Sequence, residues 1–149
     1  MIRVGINGFG RIGRRVFRLL LEHNDIQVVA INDLADAKTL THLLKYDSIH
    51  GKLDARVSDN EEHIIINNLS IALSNKNHPK SIDWTNHKVD VVIEATGKFK
   101  TKTDLEYHIK NGAKKVILSV PPTETDIKTI VLGVNEHIIT KDDHILSNA

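Results

Sequence analysis

Gly8, Gly10 and Gly13 stand at Gly-x-Gly-x-x-Gly spacing, directly after the apolar run Ile2-Arg-Val-Gly-Ile-Asn7 and directly before a segment with helical periodicity. In that context each glycine has a physical task. Gly8 permits a tight turn, Gly10 lets backbone approach a pyrophosphate, and Gly13 lets the new helix pack closely on the strand. The pyrophosphate then sits at a helix N-terminus, where unpaired N–H groups and the positive end of the helix dipole attract anions. Three glycines in six residues also make an ordinary turn, and Asp33 argues against that reading. It closes a second apolar run, Gln27 to Asn32, twenty residues beyond Gly13, where the fingerprint places an acid that accepts hydrogen bonds from a ribose. A P-loop is excluded because Arg14 and Arg15 follow Gly13 where that motif needs Lys and then Ser or Thr.

The elements that position these residues read as alternating strands and helices. Ile2 to Asn7 is a short buried strand, and Gly10 to His23 a helix with Ile12, Val16, Leu19 and Leu20 at helical spacing. Gln27 to Asn32 is a second strand, its near-continuous apolar run suited to a parallel sheet covered on both faces. Asp36 caps a helix running to Tyr46 with Leu40, Leu43 and Leu44 inward. Ala55 to Ser58, His63 to Asn67 and Ser70 to Ser74 then form a small antiparallel excursion, with Asn67-Asn68 as a turn. A strand over Val89 to Thr96 follows, then a helix opened by a Thr103-x-x-Glu106 capping box and ended by Gly112. Lys115 to Ser119, Thr129 to Leu132 and His144 to Ser147 complete the strands. The expected fold is α/β and Rossmann-type, a mostly parallel sheet with a small antiparallel excursion, as one domain over 1–149. Asn7, Asp33, Thr96 and Ser119 all fall at carboxyl ends of strands, where such sheets bind ligands.

Composition narrows the classes. The 149 residues are 40% hydrophobic and only 4% aromatic, so Ile, Val and Leu carry the core. Twenty basic against 19 acidic residues leave a net charge of +1, which gives no electrostatic case for nucleic acid. No cysteine is present, which removes disulfides, thiolate metal sites and thiol catalysis by these residues. Nine histidines are scattered without His-x-His or His-Glu-x-x-His spacing, so no metal site and no catalytic residue is assigned. No run approaches the ~18 apolar residues of a membrane span, and a cytoplasmic protein is expected. Lys98-Phe-Lys-Thr-Lys102 reads as a solvated loop leading into a helix. The carboxylate of Asp33 repels a 2′-phosphate, and no Lys or Arg stands in Asn32-Asp-Leu-Ala-Asp36, so NAD is expected over NADP.

Several longer blocks carry a resemblance. Asn7-Gly-Phe-Gly-Arg-Ile-Gly-Arg14, Ala30-Ile-Asn-Asp-Leu34, Leu44-Lys-Tyr-Asp-Ser-Ile-His-Gly51, Glu94-Ala-Thr-Gly97, Gly112-Ala-Lys-Lys115, Gly133-Val-Asn135 and Ser147-Asn-Ala149 together resemble the N-terminal, NAD-binding part of the glyceraldehyde-3-phosphate dehydrogenases. The resemblance implies a glycolytic aldehyde oxidation with hydride transfer to NAD, a triose phosphate substrate for the full-length enzyme, and a homotetramer. It implies that Arg11 and Ile12 offer backbone N–H groups to the pyrophosphate, that Asp33 holds the adenosine ribose, and that Thr96 and Gly97 line the adenosine side. Ser119 contacts the middle of the cofactor, and Asn7 contacts the nicotinamide side or braces the glycine turn. Asn77 stands where the family commonly has a basic residue, so a backbone contact to adenine is what remains there. Pro121 to Lys128 departs from the usual pattern and reads as a variable loop. In this family Ser-Asn-Ala leads into Ser-Cys-Thr-Thr-Asn-Cys, whose first cysteine is the nucleophile, so the catalytic domain is expected to be absent from this chain and the chain alone inactive. A related erythrose-4-phosphate dehydrogenase and a free-standing dinucleotide-binding, redox-sensing module stand as alternatives.

Overall fold

A computed structural model describes residues 1–149. Its elements in chain order are β1 (Ile2–Asn7), α1 (Arg11–Leu20), β2 (Ile26–Asn32), α2 (Ala37–Lys45), β3 (Tyr46–Asp47), β4 (Gly51–Lys52), β5 (Val57–Asn60), β6 (His63–Ile66), β7 (Leu69–Ser74), β8 (Val91–Glu94), α3 (Lys102–Lys110), β9 (Lys115–Leu118), β10 (Lys128–Thr129) and β11 (Ile145–Ser147). The main sheet has the order β10-β11-β9-β8-β1-β2-β7-β6-β5. Every pairing from β10 to β7 is parallel, and β7-β6-β5 form the antiparallel excursion expected from the alternating runs. Asn67 turns the chain between β6 and β7 at φ 53°, a left-handed conformation that Asn tolerates.

Both sheet faces are covered, which explains the apolar runs of β1, β2 and β8. On one face Phe17 of α1 and Leu40 and Leu44 of α2 pack with Ile6, Ile31, Ile64 and Ile71. On the other, Leu105 of α3 packs with Trp84, Val92, Val116 and Leu118. The Ile12–Val16–Leu19–Leu20 stripe is only partly the buried side of α1, since Leu20 packs against the core while two of the four lie at the surface. Gly13 and Phe17 face the sheet, while Ile12 is 55% and Leu19 41% exposed. The glycine permits this rotation, because it lets α1 approach β1 closely with Phe17 beneath, meeting Phe9 edge-on at 5.6 Å. Leu43 likewise lies at the surface while Leu40 and Leu44 are buried.

Two helix starts test the capping rules. Asp36 accepts the Thr39 N–H at 2.7 Å and caps α2 as its position predicts. The cap of α3 is Thr101, which accepts from Asp104 N–H; Thr103 lies inside the helix. The Thr-x-x-acid pattern thus occurs two residues earlier than the expected box. The strand expected over Val89 to Thr96 is trimmed to β8, and of that over Thr129 to Leu132 only Thr129 is strand, as the second residue of β10.

Between β3 and β4 the Asp47 carboxylate accepts N–H groups of Ile49 at 2.8 Å and His50 at 2.7 Å. The His50 backbone bond, then that of Ile49, holds this carboxyl down to about 2 from its ordinary 3.8. Since the folded form has the lower pKa, the turn's stabilisation is complete above the ordinary carboxylate range and disappears as pH falls toward about 2. An NMR titration of the Asp47 side chain should show that midpoint, and Asp47→Asn should remove the acid-dependent loosening of the hairpin. A midpoint at the ordinary value would contradict the turn geometry.

Candidate functional site

The carboxyl ends of β7, β2, β1 and β8 open onto a cleft of about 250 Å³ lined by Asn7, Gly10, Asn32, Asp33, Leu34, Lys76, Asn77, Ala95, Thr96, Lys98 and Phe99. Its near wall is the β1-to-α1 turn. Gly8 has φ +92°, and a Cβ there would stand 2.7 Å from the Thr96 backbone nitrogen. A Cβ on Gly13 would stand 2.2 Å from the Gly8 carbonyl oxygen, so these two glycines serve the fold. Gly10 differs, since a Cβ there meets nothing within 4 Å. Its lack of a side chain leaves the cleft open and is not required by any neighbour. Gly10 is also the N-cap of α1, and no side chain caps that helix start. The N–H groups of the first turn are therefore free for an anion.

Asp33 ties this turn to the end of β2. Its Oδ2 accepts the Phe9 N–H at 2.7 Å and its Oδ1 the Ala35 N–H at 2.9 Å. A carboxylate has about four lone-pair sites, so roughly half remain for two further donors such as vicinal hydroxyls. Arg14 Nη1 donates to the Phe9 carbonyl at 2.9 Å and braces the turn from outside the cleft.

The floor is a hydrogen-bonded row across four strands. Asn7 Nδ2 donates to Glu94 Oε2 at 2.6 Å, and Asn32 Nδ2 donates to Asn7 Oδ1 at 2.9 Å. Asn32 Oδ1 in turn accepts from Ser74 Oγ at 2.8 Å and the Lys76 N–H at 2.8 Å. Asn7 is 1% exposed, and this bonding makes it a brace beneath the turn. Thr96 Oγ1 donates to Glu94 Oε1 at 2.6 Å and accepts the Lys98 N–H at 3.1 Å.

Of the residues singled out from sequence, the cleft brings together Asn7, Gly10, Asp33, Asn77 and Thr96. Gly8 is buried behind them. Arg11 and Ile12 line a different depression with Leu43, Tyr46 and Ile49, so only their backbone N–H groups bear on the turn. Gly97, at φ +72°, and Ser119 do not line the cleft; the Ser119 N–H donates to the Glu94 carbonyl at 3.1 Å.

Sequence reasoning missed Lys76, Lys98 and Phe99, which long connections deliver to this wall. Lys98 opens the run read as a solvated loop leading into a helix, which it is, and that exposed loop also lines the cleft. Lys76 supplies a cation one residue before Asn77, so the wall is not without the basic side chain that Asn77 seemed to replace. A larger depression of about 520 Å³ lies along α3, and there Lys102 and Asp126 pair at 2.9 Å, as do Lys128 and Asp143 beside it. Glu106, Lys110 and Asp142 also line it, and no glycine does; the helix start it touches, at Lys102, is already capped by Thr101.

A parallel sheet with helices on both faces, a glycine turn leading into an uncapped helix, and an acid ending the next strand together define a dinucleotide-binding α/β domain. The chain matches the family described as glyceraldehyde 3-phosphate dehydrogenase, NAD binding domain, over residues 2–102, and it belongs to that family. It is 51% identical over 149 residues to glyceraldehyde-3-phosphate dehydrogenase of Geobacillus stearothermophilus, covering 99% of this chain and 44% of that protein. It is 49% identical over 150 residues to glyceraldehyde-3-phosphate dehydrogenase 1 of Bacillus cereus, covering 100% of this chain and 45% of that protein. To the Mycoplasma pneumoniae enzyme it is 44% identical over 148 residues. The chain thus spans under half the length of these relatives. NAD fits the residues present: an anion-ready helix start, an open Gly10, and a carboxylate with capacity for two hydroxyls.

Proposed function

We propose that residues 1–149 form the NAD-binding domain of a phosphorylating glyceraldehyde-3-phosphate dehydrogenase, working in glycolysis on a triose phosphate as a cytoplasmic homotetramer. The observation that carries this reading is the Asp33 carboxylate, anchored by Phe9 and Ala35 N–H groups at the mouth of the cleft that Gly10 leaves open. Identity near half over the whole chain to dehydrogenases from several bacteria supports the triose enzyme over its tetrose relative and over a free-standing module.

In this reading the backbone N–H groups of Arg11 and Ile12 bind the pyrophosphate and Asp33 accepts the adenosine ribose hydroxyls. Gly8 shapes the turn and Asn7 holds it from below. Lys76, Asn77, Thr96 and Gly97 flank the adenosine side, and Ser119 lies toward the middle of the cofactor. Bound NAD supplies the hydride acceptor. The thiol that forms the covalent adduct with the aldehyde comes from outside these residues, which contain no cysteine. No helix of the chain is long and apolar enough to cross a membrane.

Calorimetric titration of the chain tests the proposal. One saturable site with NAD preferred over NADP is expected, together with no turnover of aldehyde, phosphate and NAD above a blank. No heat with NAD would overturn the binding reading, and turnover would overturn the assignment of chemistry elsewhere.

A further inference from the structure

Under the cleft floor a chain of hydrogen bonds passes from Glu94 to the opposite face of the sheet. Trp84 Nε1 donates to His108 Nδ1 at 2.9 Å, and His108 Nε2 lies 2.8 Å from Glu94 Oε2. Trp84 is 1% exposed, and His108 and Glu94 are fully buried. An indole nitrogen can only donate. His108 Nδ1 therefore turns its lone pair to Trp84, and the ring proton sits on Nε2, donated to Glu94. In the other tautomer two N–H groups would face each other, and a lone pair would face the carboxylate, in a site closed to solvent.

Glu94 collects four donors. His108 Nε2 and Asn7 Nδ2 meet Oε2, while the Thr96 N–H, at 3.0 Å, and the Thr96 hydroxyl meet Oε1. The carboxylate only accepts, so it imposes one orientation on each partner. The Asn7 amide must present Oδ1 to Asn32, and the Thr96 hydroxyl must turn its proton away from the cleft.

Neither His108 nor Trp84 lines the cleft. We propose that both are positioning residues for the cofactor: the indole selects the imidazole tautomer, the imidazole N–H anchors Glu94, and Glu94 holds Asn7 and Thr96 in register at the floor. This inference rests on the reading of the cleft as an NAD site.

The test compares His108→Gln with His108→Leu. A glutamine amide offers one acceptor and one donor, as the imidazole does, whereas leucine supplies bulk without either. NAD affinity is measured by titration at a temperature where circular dichroism shows both variants folded. The Gln variant should bind NAD within about threefold of the parent, and the Leu variant about tenfold more weakly, the scale of a hydrogen bond to a charged group. Parental affinity in the Leu variant would overturn the proposal, because a packing role alone predicts it.

Should neither variant fold, ¹⁵N shifts of the parent chain decide. Pyridine-type Nδ1 and pyrrole-type Nε2 on His108, with and without NAD, are expected, and a protonated Nδ1 would overturn the tautomer argument. Failure of the parent to bind NAD would sink the cleft assignment instead, while the ¹⁵N pattern would still report the tautomer.

Discussion

Gly13→Ala is expected to cost a large share of the molecule's stability, while Gly10→Ala leaves the fold intact and weakens NAD binding. The two glycines sit three residues apart in one motif, yet their surroundings are opposite. A methyl on Gly13 meets the Gly8 carbonyl oxygen at 2.2 Å and the Ile6 side chain at 3.3 Å, so α1 must be pushed off β1. The Phe9–Phe17 contact and the core beneath α1 open with it. Overpacking of a rigid core typically costs about 1–3 kcal/mol. Backbone overlap of this depth lies at or above the top of that range, a large share of the roughly 5–15 kcal/mol that holds a domain together. A methyl on Gly10 touches nothing in the protein. Its effect on stability should stay within about 1 kcal/mol, the scale of an N-cap change. In the proposed site the same methyl stands where the pyrophosphate approaches the helix start, and NAD affinity should fall by roughly a hundredfold. Thermal melts and calorimetric titrations of the two variants check this. A folded Gly13→Ala protein with normal melting would refute the packing account. Unimpaired NAD binding by Gly10→Ala would refute the phosphate cradle.

The second large effect is expected at Asp33. Asp33→Ala removes the two charge-assisted hydrogen bonds that the proposed site offers the ribose and should weaken NAD by about tenfold or more. It also removes the only carboxylate lining the cleft, leaving Lys76 and Lys98 on its walls. A 2′-phosphate then meets net positive charge, so NADP affinity should rise as NAD affinity falls. Adding Lys76→Ala should take that gain away again. The two affinities measured side by side decide the matter, and an unchanged NAD to NADP ratio would mean that Asp33 does not read the ribose. The variant also leaves the Phe9 and Ala35 N–H groups without their acceptor, so its melting temperature has to be measured alongside.

What was legible in the sequence was what short-range rules govern. β1, β2, the glycine turn, the Asp36 cap and the hairpin turn at Asn67 each depend on a few adjacent residues, and each stands where those residues indicate. The misjudged features depend on partners far along the chain. Ile12 and Leu19 fit a helical stripe, but the side of α1 that meets the sheet is the one on which Gly13 permits close approach. Thr103 has the cap pattern locally, but the side chain that accepts from the first turn of α3 is that of Thr101. The site divides in the same way. Gly10 and Asp33 belong to one βαβ unit with a known spacing, whereas Lys76 and Phe99 reach the cleft only because β7 and β8 flank β2 and β1. The Trp84–His108–Glu94 chain has no sequence signature, since its members come from a loop, a helix and a strand that only the folded sheet brings together.

The place of β1 in the sheet has a consequence for the nascent polypeptide. β1 leaves the ribosome before either of its neighbours, since it lies between β2 and β8 in the sheet and precedes both in the chain. One of its edges can pair as soon as Asn32 has emerged, while the other must wait for Val91 to Glu94. Throughout the synthesis of the intervening residues, an apolar strand with an unsatisfied edge is exposed, the condition under which chains cross-pair with their neighbours on a polysome. The antiparallel hairpins β5 to β7 mature in that interval on the opposite flank and give this edge no shelter. Efficient production of the domain therefore depends on how quickly translation proceeds from the end of β2 to β8, and on whatever holds β1 in the meantime.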